Sequence, residues 1–291
     1  MQTLSEQALT PDDAPKNAAH RAMPEAIVKE QKLRHLMRGM GRVLVAYSGG
    51  VDSTYLAHIA NDELGTGSLC VLGISPSVPD SQVNEAAAAA ESLGLRFLTV
   101  KTDETSDDRY IANPANRCYY CKDELYEKLT AIAHSENIEH LIDGSNVDDL
   151  ADHRPGRAAA GEHNVLSPLA EVGLTKDEIR DLSRAAGIEA WEKPSSPCLA
   201  SRIAYGTPVT IERLSKVERG EAWLREMGFR EFRVRVHGEL ARIEIAPAEL
   251  DRAFTSEFAR LADRKFSEFG FRYVTLDLRG FRSGAMNEVL R

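Results

Sequence analysis

The stretch Ser48-Gly49-Gly50-Val51-Asp52-Ser53 decides the fold prediction, because a predicted buried strand (42–47) leads into it and a predicted helix (53–64) leaves it. Glycines at such a strand–helix turn let the backbone approach a phosphate, and the helix N-terminus offers unpaired N–H groups with a partial positive charge. The two serines add hydroxyl donors, and the aspartate carboxylate suits Mg²⁺. The stretch therefore predicts a phosphate site with Mg²⁺. A tight turn whose polar residues only cap the helix also fits the pattern.

Apolar runs alternate with helical patterns over the first two thirds of the chain. This alternation predicts an α/β fold with a doubly wound parallel sheet. Beyond about residue 200 the order changes to αββαβ, which predicts a smaller C-terminal α+β domain. The other predicted strands are 69–74, 96–100, 140–143, 232–236, 241–245 and 273–278, and the other predicted helices are 83–93, 118–134, 211–227 and 249–263.

Three regions are expected along the chain. Residues 1–22 are polar, with acidic residues and prolines, and are expected to form a disordered tail. Residues 23–195 are expected to form the nucleotide-binding domain, and residues 196–291 the C-terminal α+β domain for substrate binding or oligomerisation. The Pro-, Ser- and Gly-rich segment 194–208 joins the two domains, so we expect it to face the cleft between them.

Charge is spread unevenly along the chain. The net charge is −9, yet residues 200–291 hold 17 Lys and Arg against 14 Asp and Glu, a balance of +3, while the remainder holds 19 against 31, a balance of −12. An acidic body argues against a nucleic-acid partner, which needs a basic face. No apolar run approaches the roughly 18 residues of a membrane span, and the start lacks a signal peptide's apolar centre. We therefore expect a cytoplasmic protein without a membrane partner.

The four cysteines are interpreted as free thiols, metal ligands or catalytic groups, because no secretory signal favours disulfides. Cys118 and Cys121 open a predicted helix beside two basic residues, where a thiol is expected to have a lowered pKa. The pair alone also fits a redox motif or half of a zinc site. With Cys198, three thiolates would leave one position of a four-iron cluster open, or would need a fourth ligand for zinc. Cys70 lies within an apolar strand and is expected to be a small buried residue.

The phosphate loop resembles the PP-loop of the N-type ATP pyrophosphatases, the superfamily of GMP synthetase, NAD synthetase and the tRNA thiolases. This resemblance implies that ATP is cleaved between its α and β phosphates to leave an adenylate. Ligands of doubly wound sheets lie beyond the carboxyl ends of the strands, which is where Ser75, Gly144, Asn146 and Asp148 are expected. These four residues are therefore predicted to contact the nucleotide, although plain turn chemistry also explains them.

Four motifs together resemble the ATP-dependent sacrificial sulfur transferases of nickel-pincer nucleotide synthesis. They are the phosphate loop, Asn116-Arg-Cys-Tyr-Tyr-Cys-Lys122, Gly144-Ser-Asn-Val-Asp-Asp149 followed by Arg154 and Arg157, and Pro197-Cys-Leu-Ala-Ser-Arg-Ile203 followed by Tyr205-Gly-Thr207. The resemblance covers about residues 25–280. It implies a small nucleotide substrate, pyridinium-3,5-biscarboxylic acid mononucleotide, and ATP as the adenylating cofactor.

The resemblance also assigns roles to the cysteines. Cys198 occupies the position of the sulfur-donating cysteine, which single-cysteine members sacrifice to leave dehydroalanine. Members that also carry the Cys-x-x-Cys pair hold a 4Fe-4S cluster on all three cysteines, and we expect the same of Cys118, Cys121 and Cys198. Cys198, by this matching, and Asp52, as the carboxylate of the phosphate loop that suits Mg²⁺, are the expected catalytic residues.

A nucleotide phosphate and a carboxylate need cationic partners, and three arginines are candidates. Arg202 follows the Cys198 motif, and Arg235 and Arg242 lie on predicted C-terminal strands. A solvated polar face of a half-buried sheet also explains these arginines. Two other functions fit parts of the pattern. A tRNA thiolase also carries a Cys-x-x-Cys pair with a distant cysteine, and a non-catalytic ATP-binding protein could hold structural zinc. We expect a homo-oligomer.

Overall fold

The computed structural model describes residues 14–151, 155–192, 197–282 and 286. Its first sheet is entirely parallel, with the strand order β3-β2-β1-β4. The two central strands are rich in Val and Leu and are buried on both faces, as is typical of a parallel sheet covered by helices. These strands are β1 (Val43–Tyr47), β2 (Ser68–Ile74), β3 (Phe97–Lys101) and β4 (His140–Asp143).

Helices cover both faces of this sheet. On one face, Val45 and Cys70 pack with buried residues of α1 (Ala14–Met40), α2 (Val51–Leu64), α3 (Asp80–Ser92) and α9 (Lys176–Ala185). On the other face, the core includes Leu44 and Val71, which pack with α5 (Arg117–Ser135) and α7 (Gly156–Glu162). The predicted doubly wound α/β fold is therefore confirmed. The remaining short helices here are α4 (Asp108–Ile111), α6 (Val147–Ala151) and α8 (Pro168–Glu171).

The second sheet has the order β5-β6-β7, with an antiparallel pair β5–β6 and a parallel pair β6–β7. Its own core contains Trp223 and Phe266, which meet edge to face at 5.8 Å between ring centroids. The smaller C-terminal α+β domain and its αββαβ order are therefore confirmed. The elements are α10 (Ile211–Glu226), β5 (Phe232–His237), β6 (Leu240–Ile245), α11 (Ser256–Glu268) and β7 (Tyr273–Leu276).

Two of the differences from the prediction concern where helices begin. The predicted helix 249–263 is wrong at its start, because a 3-10 helix (Pro247–Arg252) comes first and α11 begins only after Thr255. The Thr255 hydroxyl accepts a hydrogen bond from Phe258 N at 3.1 Å, which fixes this start. Helix α1 begins at Ala14 and so overlaps the expected tail by nine residues, while residues 1–13 lie outside the described part. In the part of the chain that the structure describes, no helix is both long and apolar enough to cross a membrane.

Candidate functional site

The phosphate loop connects the carboxyl end of β1 to the first turn of α2. Gly49 has a φ of +71°, and a Cβ there would lie 2.5 Å from Cβ of Ala86, so only glycine fits. Gly50 is the N-cap of α2 and makes no side-chain cap, which leaves the first N–H groups of the helix for a ligand. Val51 is buried in the core, so only its backbone can contact a nucleotide.

The two serines of the loop fix its shape. The hydroxyl oxygens of Ser48 and Ser53 lie 2.9 Å apart, and Ser53 Oγ accepts from Ser48 N at 3.2 Å. Ser53 Oγ also lies within donating distance of the Gly50 carbonyl, at 3.2 Å. These bonds close the loop on itself, so that its backbone N–H groups are held in place before any phosphate arrives.

Asp52 is held by two residues from distant parts of the chain. Its Oδ2 accepts a hydrogen bond from Nζ of Lys176, and its Oδ1 accepts one from Nδ2 of Asn146 at 3.3 Å. Lys176 is the first residue of α9, and its backbone N donates to Asp148 Oδ2 at 2.7 Å. The sequence analysis missed Lys176. The Thr175–Glu178 capping box does mark the start of α9, but no sequence signal pairs that position with Asp52.

The turn after β4 lies against the phosphate loop. A Cβ at Gly144 would approach Ser53 N to 2.8 Å, so the two loops touch through this glycine. Asn146 is buried and accepts from Asp148 N at 2.9 Å through its Oδ1. The structure therefore brings Gly144, Asn146 and Asp148 together with Asp52 and Ser53, as the parallel sheet predicts. Arg154, from the same motif, lies outside the described residues.

Ser75, at the end of β2, is engaged by a buried carboxylate. Its hydroxyl donates to Glu104 Oε1 at 2.5 Å, and the other carboxylate oxygen, Glu104 Oε2, is buried without a partner in the described residues. Two residues further on, the Ser77 carbonyl accepts from Leu199 N at 2.8 Å. Leu199 follows Cys198, so this bond ties the carboxyl edge of the parallel sheet to the cysteine segment. Glu104 was missed because it is one of four acidic residues within positions 103–108, and no sequence signal sets it apart from the others.

The three candidate cysteines lie on two segments and influence one another. Cys118 and Cys121 lie in the first turns of α5, and Cys198 precedes a 3-10 helix (Leu199–Arg202). The expected lowered pKa of Cys118 is wrong, because crowding by surrounding protein and the nearby Cys198 thiol raise the pKa more than Arg117 lowers it. Burial, Glu104 and Cys198 likewise raise the pKa of Cys121. Cys70 is buried, as expected, and burial raises its pKa to about 12.

Three mutually interacting thiols supply the donor chemistry that an iron–sulfur cluster needs. Within the described ranges, however, no three His, Cys, Asp or Glu side chains are arranged as ligands around one metal ion. Asp52, the expected Mg²⁺ ligand, also lacks a ligand arrangement, because both of its carboxylate oxygens accept hydrogen bonds from Lys176 and Asn146. The residue types therefore suit both metals, while the present side-chain arrangement suits neither as it stands.

Two of the three candidate arginines are buried in ion pairs. Arg202 is 1% exposed and pairs through Nε with Glu221 at 2.9 Å, while its Nη1 donates to the Cys198 carbonyl at 3.1 Å. Arg235 pairs with Glu244 at 2.9 Å. A solvated polar face therefore does not describe these two residues. Arg242 is more accessible and shares Glu244 at 2.8 Å.

Comparison with known proteins gives the family. No family model matches the chain. It is 42% identical over 262 residues to an uncharacterized protein of Synechocystis, covering 90% of this chain and 98% of that protein. It is 26% identical over 215 residues to one component of the glutamine-hydrolyzing GMP synthase of Methanopyrus kandleri, covering 68% and 67%. It is 36% identical over 269 residues to the pyridinium-3,5-bisthiocarboxylic acid mononucleotide synthase of Lactiplantibacillus plantarum, covering 92% and 97%. The chain therefore belongs to the enzyme family of this synthase, within the fold class shared with GMP synthase.

Proposed function

We propose that this enzyme is an ATP-dependent sulfur transferase that acts on pyridinium-3,5-biscarboxylic acid mononucleotide. It converts a ring carboxylate to a thiocarboxylate in the synthesis of the nickel-pincer nucleotide of lactate racemase. The observation that carries the proposal is the bond between Leu199 N and the Ser77 carbonyl, because it joins a nucleotide-binding edge to a segment bearing a cysteine. The relative from Lactiplantibacillus plantarum, whose name specifies a bisthiocarboxylic product, supports the choice of substrate.

The first half-reaction is adenylation. A substrate carboxylate oxygen attacks the α-phosphorus of ATP, the bond to the β-phosphate oxygen breaks, and pyrophosphate leaves. The N–H groups at the start of α2 would hold the phosphates, and the Lys176 cation would face the charge that develops on the leaving pyrophosphate. Asp52 would hold Mg²⁺, which would supply positive charge to offset part of the charge on the phosphates.

The second half-reaction is sulfur transfer. A sulfur nucleophile attacks the acyl carbon, the bond to the AMP oxygen breaks, and a thiocarboxylate and AMP result. In the preferred version, Cys118, Cys121 and Cys198 would hold a 4Fe-4S cluster, which supplies sulfide as the nucleophile when bound. In the other version the Cys198 thiolate attacks and its Cβ–S bond then breaks by loss of the α proton, which leaves dehydroalanine in the chain.

The substrate's phosphate and free carboxylate are assigned to the arginines of the C-terminal sheet. An arginine has five N–H donors. Arg202 uses Nε and Nη2 on Glu221 and Nη1 on the 197–201 segment, so one Nη2 hydrogen remains for a substrate. Arg235 donates to Glu244 and to the Ser201 carbonyl, so its Nη2 group remains. Arg242, with 30% of its side chain exposed, is the most accessible of the three. The proposal keeps the expectation of a cytoplasmic homo-oligomer.

The products of ATP test this proposal. Anaerobically purified enzyme is incubated with ATP, Mg²⁺ and the biscarboxylated mononucleotide, and the nucleotides are separated by chromatography. The proposal predicts AMP and pyrophosphate in amounts that depend on the mononucleotide. ADP and orthophosphate, or AMP formation that is indifferent to the mononucleotide, would contradict it.

A further inference from the structure

Asn113 combines complete burial with a backbone conformation that few non-glycine residues adopt. Its φ is +54°, in the left-handed region. Asn113 lies four residues before the start of α5 and is fully buried. Such conformations persist where surrounding contacts over-determine them, and they cluster at functional sites. Two other asparagines, Asn137 and Asn164, share this conformation at exposed turns. The burial of Asn113 is therefore what sets it apart.

The side-chain amide of Asn113 donates hydrogen bonds to the segment that follows Cys198. Its Nδ2 donates toward three backbone carbonyls, those of Ile203 at 3.3 Å, Ala204 at 2.8 Å and Thr207 at 2.9 Å. An amide has two N–H hydrogens, so the three carbonyls share them. The Asn113 backbone carbonyl also accepts from Gly206 N at 3.0 Å. One residue therefore holds the whole loop 203–207.

Arg117, at the start of α5, also binds the segment that follows Cys198. Its Nη1 donates to Asn113 Oδ1 and to the Ala200 carbonyl, the latter at 3.1 Å. This network fixes the amide orientation, since a flipped amide would set its oxygen against three carbonyls and its NH₂ against a guanidinium. Arg117 is the first residue of α5, directly before Cys118, and it is 4% exposed. Its cation interacts with the thiols of both Cys118 and Cys198.

We propose that Asn113 and Arg117 are positioning residues that hold the Cys198 segment against the start of α5, so that Cys198 lies beside Cys118 and Cys121. The two segments are separated by about eighty positions, and their register depends on the bonds from Arg117 to Ala200 and from Asn113 to the 203–207 loop. The proposed iron–sulfur cluster needs these three thiols close together.

Thiol cross-linking tests the proposal in the iron-free protein. Dibromobimane links two thiols that lie a few ångströms apart, and mass spectrometry of peptides identifies each linked pair. In Asn113→Gly the left-handed backbone stays relaxed while the side-chain bonds are lost. We expect linkage of Cys198 to Cys118 or Cys121 to slow about tenfold, because the positioned thiols lose effective concentration.

Two controls separate positioning from a general loss of structure. Linkage between Cys118 and Cys121 is internal to α5, so it should keep its wild-type rate in the same sample. Asn137→Gly makes the same change at an exposed left-handed turn and should leave every linkage unchanged. The alkylation rate of each thiol with a monofunctional reagent is also measured, and each linkage rate is divided by it to correct for changes in thiol reactivity.

A second variant keeps the test decisive if Asn113→Gly fails to fold, as loss of the helical circular dichroism signal would reveal. Asn113→Asp keeps the size of the side chain and an acceptor for Arg117, but turns a carboxylate oxygen toward the carbonyls of Ala204 and Thr207. It should likewise slow only the linkages of Cys198. Wild-type rates of Cys198 linkage in either folded variant would overturn the proposal.

Discussion

The ammonium group of Lys176 donates a hydrogen bond to the carboxylate of Asp52, across 124 positions of sequence. The bond joins the first turn of α2, which carries the phosphate loop, to the first residue of α9. It places a cation beside the phosphate loop, where we propose that pyrophosphate is released. If Mg²⁺ replaced Lys176 on the Asp52 carboxylate, the lysine could contact the phosphates instead.

Asp52→Asn is expected to slow adenylation strongly while the fold survives. Removing the carboxylate loses the proposed Mg²⁺ ligand, which costs about 3 kcal/mol, or roughly a hundredfold in rate, in a preorganised site. Pyrophosphate release measures the effect. Asp62→Asn, which makes the same change on the exposed side of the same helix, should keep wild-type turnover. Near-normal turnover in folded Asp52→Asn would show that the metal is held elsewhere.

Lys176→Met should also slow pyrophosphate release, by roughly tenfold to a hundredfold, because the uncharged side chain cannot stabilise the leaving group. Arg184→Met, in the last turn of the same helix, serves as the control and should behave as wild type. If Asp52 and Lys176 act as one unit, the double variant with Asp52→Asn will lose less than the sum of the two single losses in free energy. Strict additivity would mean that the ion pair has no part in the reaction.

Arg235→Gln is expected to destabilise the C-terminal sheet. The change removes one of the two cationic partners of Glu244, whose side chain has no exposed surface. Loss of the sole partner of a buried charge costs about 3–5 kcal/mol, and the loss here should be smaller because Arg242 stays paired with Glu244. Urea unfolding measures the free energy. Arg272→Gln breaks an exposed ion pair with Glu239 and should leave stability unchanged. Equal stability of the two variants would indicate that Arg235 is held for substrate rather than for the fold.

The three cysteines are expected to act together in holding iron. After anaerobic reconstitution, replacing Cys118, Cys121 or Cys198 by Ala should lose iron and the visible absorbance of the cluster, because two thiolates cannot retain it. Cys70→Ala should keep both, since Cys70 is buried in β2. Iron-free wild-type protein that loses about 34 Da at Cys198 during turnover would instead favour the sacrificial version.

Glu178 should make the packing of α1 on α9 dependent on pH. Burial tends to raise the pKa of this carboxyl, but hydrogen bonds from Lys29, at 2.6 Å, and from Thr175 outweigh burial and lower the pKa below 4.5. A lowered folded-state pKa stabilises the fold above the unfolded value and loses this contribution as pH falls through the folded value. The stability difference between wild type and Glu178→Gln should therefore shrink as pH falls below about 4.5. A difference that is constant with pH would contradict this assignment.

Local patterns were sufficient to predict most of the fold. The strand predicted at 42–47 is β1 (Val43–Tyr47), because an unbroken apolar run before a glycine turn has few other interpretations. Helices α1, α4 and α6 to α9 were missed. Helices α4 and α6 to α8 have only four to seven residues, which is too few to show a periodicity. Helix α9 is amphipathic and begins with a capping box, so its sequence did carry a signal. Helix α1 begins in the polar stretch that was expected to form a tail. The start of α11 was misplaced because the 3-10 helix that begins at Pro247 continues the same polar pattern.

The candidate site was only partly predictable. Parallel-sheet topology gathers strand ends, so Asn146 and Asp148 could be expected near Asp52. Tertiary packing brings Lys176 to Asp52 and Glu104 to Ser75, and no spacing in the sequence predicts these contacts. The burial of Arg202 in an ion pair with Glu221 is likewise a result of tertiary packing, which the sequence pattern does not show.

Sulfur transfer itself is tested most directly with heavy sulfide. Reconstituted enzyme is given ATP, Mg²⁺, the biscarboxylated mononucleotide and sulfide labelled with ³⁴S, and the product is analysed by mass spectrometry. The account predicts AMP, pyrophosphate and a product about 18 Da heavier than the substrate, since a carboxylate oxygen is exchanged for the labelled sulfur. A gain of about 16 Da would identify unlabelled sulfur, from Cys198 or from the cluster's own sulfide, as the donor. AMP release without any thiocarboxylate would contradict the central claim.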